Sequence, residues 1–281
     1  MDEKWPIGIF TSVGAGLGAG LETVRSLGVH TVQLHTPHAP DRAPDRVAQF
    51  KQQFADAGIQ VTVVFAGFEG ESYADIPTVQ RTVGLVPSEL RAARLQETKE
   101  IADFAHRMGC DALGMHIGFV PEERTDPVYT EVVKAAQEIC DYCHRLGQRF
   151  HLETGQERAE VLLRFFEDVG RENLAINFDP ANLILYGTDQ PIPALRKVGR
   201  YVKSVHCKDA KWAKNPGKEW GEEVPLGTGE VDIPLFLRTL KEIGYFGPLT
   251  IEREISGEQQ KKDIAEAISL LKRLRAEILG I

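Results

Sequence analysis

Three imidazoles and three carboxylates, His35, His116, His206, Glu153, Asp179 and Glu252, stand at or next to the ends of short apolar runs in this chain. The runs cover residues 7–11, 31–35, 61–66, 112–117, 149–153, 174–179, 202–207 and 249–252. Their length and their content of β-branched residues read as strands. Positions inside such strands are ordinarily Val, Ile or Leu, and a charge buried there without a partner costs several kcal/mol. Carboxylates brought together raise one another's pKa. A divalent cation removes that cost, and oxygen donors with one imidazole suit Mn²⁺, Mg²⁺ or Co²⁺ better than an ion that prefers thiolates. A salt-bridged, solvated rim is the plainer reading of any single one of these residues. Glu153, Asp179, His206 and Glu252, arriving on four successive strands, together favour a metal centre.

The segments between the runs carry helical periodicity. Leu17, Leu21 and Val24 share a face, as do Val47, Phe50, Phe54 and Ala57. Ile101, Phe104, Ala105 and Met108 form another, and Val132, Ala136, Ile139 and Cys143 a fourth. A last helix is predicted over 263–279, with Ile264, Ile268, Leu271, Leu274 and Ile278 turned inward. Gly28, Gly58, Gly109, Gly147 and Gly244 sit where helices should end in a left-handed residue, and Asp232 with Pro234 reads as a helix start. Alternation of strand and helix without adjacent strands argues for a parallel sheet covered by helices. Eight such units point to a single (β/α)8 TIM barrel spanning 1–281 as one domain. Side chains at the C-terminal tips of barrel strands converge on one site, which is where the six polar residues fall. Two long connections, 67–87 and 208–231, leave the same end, and the second carries Trp212, Lys214, Asn215 and Trp220, a mix suited to covering a polar ligand.

Four segments carry a family resemblance: His-Leu-Glu-Thr-Gly at 151–155, Asn-Phe-Asp-Pro-Ala-Asn at 177–182, Val-His-Cys-Lys-Asp at 205–209 and Thr-Ile-Glu-Arg-Glu at 250–254. With Pro-Leu-Gly-Thr-Gly-Glu-Val-Asp at 225–232, they resemble the xylose-isomerase-like superfamily of barrels over nearly the whole chain. That group includes ketose 3-epimerases, inosose isomerases and dehydratases, and endonuclease IV. The resemblance implies that Glu153, Asp179, His206 and Glu252 coordinate one divalent ion, Mn²⁺ first, with Mg²⁺, Co²⁺ or Zn²⁺ as alternatives. It implies an isomerase or epimerase that moves a proton at the carbon next to a carbonyl through an enediolate. Glu153 and Glu252 would be the catalytic base and acid on opposite faces of a sugar or keto-sugar. His35, His116, Asn182, Lys208 and Asp209 are the expected substrate-binding residues, with Asp209 either reaching the site or orienting Lys208. Glu254 shares the strand face of Glu252 and is a rival ligand. His151 reads as a core histidine beneath Glu153.

A lyase, dehydratase or deglycosidase acting on a keto-sugar, keto-glycoside or keto-inositol would begin with the same proton abstraction and then expel a leaving group. An endonuclease IV-like phosphodiesterase needs three metals. Its additional histidine after the sixth-strand aspartate is Asn182 here, and the 208–231 loop has no Asp-x-His pair. The net charge of −8 also lacks the basic footprint of a nucleic-acid binder. No apolar run is long enough for a membrane span, and the opening residues do not read as a signal peptide, so a cytoplasmic protein is expected. Exposed barrel faces leave room for a homo-oligomer. Cys110, Cys140, Cys143 and Cys207 are expected as free thiols. Two motifs are set aside. Cys140-Asp141-Tyr142-Cys143-His144 matches a haem-attachment pattern but falls on an apolar helix face. Gly14-Ala15-Gly16-Leu17-Gly18-Ala19 matches a dinucleotide fingerprint, yet the next strand ends in Gln33-Leu34-His35 without the required acid.

Overall fold

The structure, a computed structural model, describes residues 3–13 and 18–281. Eight parallel strands close into a barrel: β1 (Ile7–Ser12), β2 (Thr31–His35), β3 (Gln60–Phe65), β4 (Ala112–Met115), β5 (Arg149–Glu153), β6 (Leu174–Phe178), β7 (Val202–Cys207) and β8 (Leu249–Ile251). Each pairs with the next, and β8 returns to β1 with Leu249 opposite Ile7 and Ile251 opposite Ile9. All eight expected strands are present. His116, Asp179 and Glu252 fall just beyond the ladders rather than inside them. Eight helices wrap the barrel: α1 (Leu21–Ser26), α2 (Pro44–Asp56), α3 (Ser88–Met108), α4 (Pro127–Arg145), α5 (Ala159–Val169), α6 (Pro191–Val198), α7 (Ile233–Glu242) and α8 (Glu258–Leu279).

The predicted helix faces are the packed ones. Val47, Phe50 and Phe54 of α2 are buried, as are Ile101, Phe104, Ala105 and Met108 of α3, and Val132, Ala136, Ile139 and Cys143 of α4. Against them lie the outward residues of the strands, among them Ile9, Leu34, Val64, Leu113, Leu152 and Ile176. The α8 helix begins at Glu258, earlier than its apolar stripe suggests, because its first turn is mostly polar. Gly28, Gly58, Gly109, Gly147 and Gly244 all take the left-handed conformation after their helices. Asp232 caps α7, accepting the Leu235 N–H at 3.1 Å, with Pro234 in the first turn. All four cysteines are free and buried. Residues 14–17 of the glycine run lie outside the described residues, and Ala19–Gly20 pairs alongside Thr11 and Ser12. Among the described residues, no helix is long and apolar enough to cross a membrane.

Inside the barrel the filling is lopsided. Phe10, Val63, Phe65 and Ala112 form a small apolar cluster of their own on β1, β3 and β4. Gly114 makes room for it, since a Cβ there would sit 2.7 Å from the Phe65 ring. The remaining strands turn Gln33, His151, Asn177, Ser204, His206 and Thr250 inward, all of them buried.

Both long connections are structured. The one after β3 contains a short helix, Ile76–Thr82, capped by Asp75. The one after β7 contains a hairpin of Asp209–Lys211 with Glu222–Val224. Its return is pinned by Asp209, whose carboxylate accepts N–H bonds from Ala210, Gly227, Gly229 and Val231 at 2.9–3.1 Å. Hydrogen bonds to a charged acceptor contribute more than neutral ones and leave costly orphans when removed. Asp209→Ala should therefore lower unfolding stability by roughly 2 kcal/mol. Amide exchange should speed up at Gly227, Gly229 and Val231, and unchanged exchange there would contradict the clamp.

Candidate metal centre and active site

Asp179 shows how local chain chemistry builds the site. It is the N-cap of a short helix, Pro180–Tyr186, with Pro180 in the first position, where a missing N–H does no harm. Its Oδ1 accepts from Ala181 N at 2.8 Å and Asn182 N at 3.0 Å. Thr154, one residue past β5, clamps the Asp179 backbone from the other side. One carboxylate oxygen is thereby committed to the helix. The other, Oδ2, is fully buried and has no hydrogen-bond partner.

That free oxygen faces His206 on β7. The His206 Nδ1 lies 2.7 Å from Glu153 Oε1, 3.3 Å from Glu252 Oε2 and 3.5 Å from Asp179 Oδ2. One ligand atom from each of the four residues falls within 4.8 Å of every other. Donors on opposite sides of a divalent ion, each about 2.0–2.4 Å from it, stand about 4–5 Å apart, so the spacing fits a single ion. Burial works against a charged His206, but Glu252 and Glu153 outweigh it and hold its pKa well above the ordinary imidazole value. The pocket is built for a positive charge at this point, and the orphaned Asp179 oxygen fits an ion better than it fits a dry interior. The cluster includes Glu252 and excludes its rival Glu254.

Gln33, which the strand pattern presented only as a missing acid, orients the imidazole. Its Oε1 lies 2.7 Å from His206 Nε2. The Gln33 amide nitrogen donates to Asn177 Oδ1 at 3.2 Å and to the Val205 carbonyl at 3.4 Å. A backbone carbonyl only accepts, so the amide must turn its oxygen to His206, which donates from Nε2 and leaves Nδ1 for the cluster. Phe10 and Phe65 pack against the same ring, with centroids 5.4 and 5.3 Å away. The sequence offered no signal beyond an amide at inward parity between Thr31 and His35.

The other expected residues divide. His116 lies 3.0 Å by its Nε2 from Glu153 Oε2 and has Gln156 on its other nitrogen. Lys208, fully buried, donates to Glu252 Oε2 at 3.0 Å, Glu254 Oε1 at 2.7 Å and Asn182 Oδ1 at 3.3 Å. Burial opposes a charged Lys208, yet Glu252 and Glu254 push its pKa well up. Burial likewise opposes an ionised Glu252, which His206 and Lys208 nevertheless hold well below the ordinary carboxylate range. His35 is close-packed under Gly67, where a Cβ would sit 2.6 Å from its ring, and burial lowers its pKa. Asp209 is not brought to the cluster, because its oxygens clamp the following loop. His151 is buried with its Nδ1 2.8 Å from Ser204 Oγ, and desolvation pushes its pKa down to about 3.

Above the cluster opens a cavity of about 210 Å³. Glu153, Glu252, His35 and His116 supply its polar wall, and Phe10, Phe65 and Ala66 its apolar wall. Arg253 and Glu254 beyond β8 also line it, as do Glu71 and Tyr73 from the connection after β3, the last two not anticipated from the strand tips. Glu71 is itself anchored by the N–H groups of Phe68 and Gly84.

A family model described as xylose isomerase-like TIM barrel matches residues 21–274. The chain belongs to that family. A crystal structure of a xylose isomerase domain protein from Planctomyces limnophilus superposes with a TM-score of 0.97 at 58% identity, covering 99% of this chain and 100% of that one. A xylose isomerase-like TIM barrel protein from Mycobacterium smegmatis, in complex with magnesium, matches at 0.71 and 19% identity over 98% of both chains. A D-tagatose 3-epimerase-like protein matches at 0.74 and 18% identity, again over 98% of both. The last two likenesses concern the fold alone. An uncharacterized protein of Methanocaldococcus jannaschii, MJ1311, is 23% identical over 199 residues, and the chain spans just under two thirds of its length, 66%.

Outer partners of a ligating imidazole typically govern metal affinity by about 10–100-fold. Gln33→Leu should weaken Mg²⁺ or Mn²⁺ binding by about that factor, measured by calorimetry, with the fold intact. Affinity within about twofold of the unaltered protein would remove Gln33 from this role.

Proposed function

We propose that this protein is a divalent-metal-dependent sugar isomerase or epimerase that moves a proton at the carbon next to a carbonyl. The reading rests on one observation: Glu153 and Glu252 belong to the four-donor cluster and also line the cavity above it. Glu153, Asp179, His206 and Glu252 would hold the ion. When bound, it supplies Lewis-acid withdrawal of charge from the substrate's carbonyl and neighbouring hydroxyl oxygens, which acidifies the adjoining C–H. The family and the epimerase-like neighbour support this class of chemistry.

The protein's own groups carry the rest. One of the two glutamates takes the proton from carbon and the other returns one; delivery to the opposite face inverts the centre. Each has a route for its proton. Glu153 touches His116, which is partly exposed, and Glu252 touches Lys208, which is bonded in turn to half-exposed Glu254. His116 and His35, which line the cavity, would bind substrate hydroxyls; Lys208 and Asn182, expected to do the same, do not line it. Phe10 and Phe65 keep water from the reacting carbon, so the proton passes between fixed groups. Mn²⁺ remains the first choice of ion on donor chemistry, with Mg²⁺, Co²⁺ or Zn²⁺ as alternatives.

Exchange through exposed neighbours implies isotope uptake from solvent. Metal-loaded protein incubated in D₂O with a panel of ketoses, keto-inositols and 3-keto-glycosides should place deuterium beside the carbonyl and invert or isomerise that centre. Glu153→Gln and Glu252→Gln should each lower the exchange rate by about 10²–10⁴-fold. Release of an aglycone or formation of an unsaturated product would instead assign the lyase, dehydratase or deglycosidase reaction. Absence of any exchange across the panel would count against both.

A second expectation concerns the ion itself. A ligand that binds only the folded state at a hundred times its Kd stabilises by about 2.7 kcal/mol. Saturating Mn²⁺ or Mg²⁺ should raise the melting temperature accordingly. Asp179→Asn, which keeps the helix cap, should abolish most of the rise. An equal rise in that variant would place the ion elsewhere.

A further inference from the structure

The cavity above the metal centre carries a carboxylate that the cluster does not use. Glu71, from the connection after β3, lines the cavity but stands outside the four donors. The chain fixes its place. Oε2 accepts the Phe68 N–H at 3.1 Å and Oε1 the Gly84 N–H at 2.8 Å, while the buried Arg94 guanidinium stands 3.9 Å from Oε1. Gly84 is left-handed and lies so closely on the Ile117 carbonyl that a Cβ would overlap it, and the Leu85 N–H donates to that carbonyl at 2.8 Å. The turn that holds Glu71 is thereby anchored just past β4. Two N–H bonds use about half of the roughly four lone-pair sites of a carboxylate, so acceptor capacity is left for the cavity. Among the described residues that line this cavity, Arg253 alone has a permanent positive charge, and it is committed to Glu223 at 2.9 Å and Asp263 at 2.8 Å.

We propose that Glu71 selects the substrate by the end that lies away from the ion, accepting a hydroxyl there and repelling a phosphate or carboxylate. The site then takes an uncharged polyhydroxy carbonyl compound, a specificity that rests on the metal-dependent chemistry proposed above. Arg94 sits behind Glu71 and does not line the cavity, so a substrate meets the carboxylate first. The wider balance is negative as well. An ion and Lys208 offset the three ligating carboxylates, Arg94 offsets Glu71, and Arg253 meets both Glu223 and Asp263. That leaves Glu254 and one of the last pair in excess, and an anionic tail is repelled overall. The plainer alternative is that Glu71 only ties the ends of its own loop.

Hydroxamates chelate divalent ions through two oxygens as an enediolate does, so they carry a chosen tail into the cavity. Calorimetry on magnesium-loaded protein at pH 8, where a phosphate monoester bears close to two negative charges, would compare D-erythronohydroxamate with its 4-phosphate. D-Gluconohydroxamate, longer and uncharged, controls for bulk. The phosphate is expected to bind at least about tenfold more weakly than either neutral compound. Glu71→Gln, which keeps an acceptor for one of the two N–H groups, should narrow that ratio by at least about threefold, and its binding of erythronohydroxamate reports that it is folded. Should the variant not fold, the unaltered protein still tests charge: its ratio should narrow as ionic strength rises from about 0.02 to 0.5 M. Equal or tighter binding of the phosphate would overturn the proposal. So would gluconohydroxamate as weak as the phosphate, which makes bulk the cause, a ratio unmoved by salt, or one unmoved in folded Glu71→Gln. If none of the three compounds binds, the metal centre proposed above fails and the selectivity with it. If they bind as expected but the ketose panel shows no exchange in D₂O, the reaction class fails and the selectivity stands.

Discussion

One imidazole nitrogen with three carboxylate oxygens within 3.5 Å is an arrangement that only positive charge can stabilise. Nearly every feature of the C-terminal end of the barrel follows from it. Asp179 commits one oxygen to a helix start and leaves the other to the cluster. Glu252 receives a buried lysine, Glu153 receives a histidine, and the far side of the imidazole is held by an amide fixed on a backbone carbonyl. Of these second partners only Lys208 brings a charge of its own to the centre. They set the direction in which each donor points.

The family's fold accounts for how such an arrangement can be assembled. A barrel strand places its last inward residue at the mouth, so four successive strands can each contribute one donor with no insertion between them. The two glutamates then serve two purposes at once, holding charge beneath the cavity and facing whatever occupies it. Their unequal surroundings matter. Glu252 is held strongly ionised by His206 and Lys208 against its burial. Glu153 is bonded by two imidazoles, one on each oxygen. A pair in distinct environments can divide the giving and taking of a proton in a way that a symmetric pair cannot.

Much of this was legible in the sequence, because barrel strands announce themselves by apolar runs and end in residues too polar for a core. The strand count, the helix faces, the glycine stops and the convergence of Glu153, Asp179, His206 and Glu252 all follow from period and position. What escaped were partners far apart along the chain. Gln33 contacts His206 across 173 residues, and nothing local distinguishes it from an incidental amide. Lys208 and Glu254 find each other through the curvature of the barrel, whereas the four-donor cluster takes in Glu252. Asp209, next to Lys208 in sequence, turns to the loop because a following hairpin offers it four N–H groups. Glu71 and Tyr73 sit in a connection whose path cannot be read from periodicity.

The lopsided filling of the barrel still leaves its two sides in contact. Strands β5 to β8 and their tips carry the four clustered donors, whereas β1, β3 and β4 supply rings and small residues that shape the space beside them. Phe10 and Phe65 line the cavity and also pack on the His206 ring, so the two sides meet at that imidazole. A change of either ring is therefore felt on the donor side, and the shape of the cavity and the seat of His206 cannot vary independently.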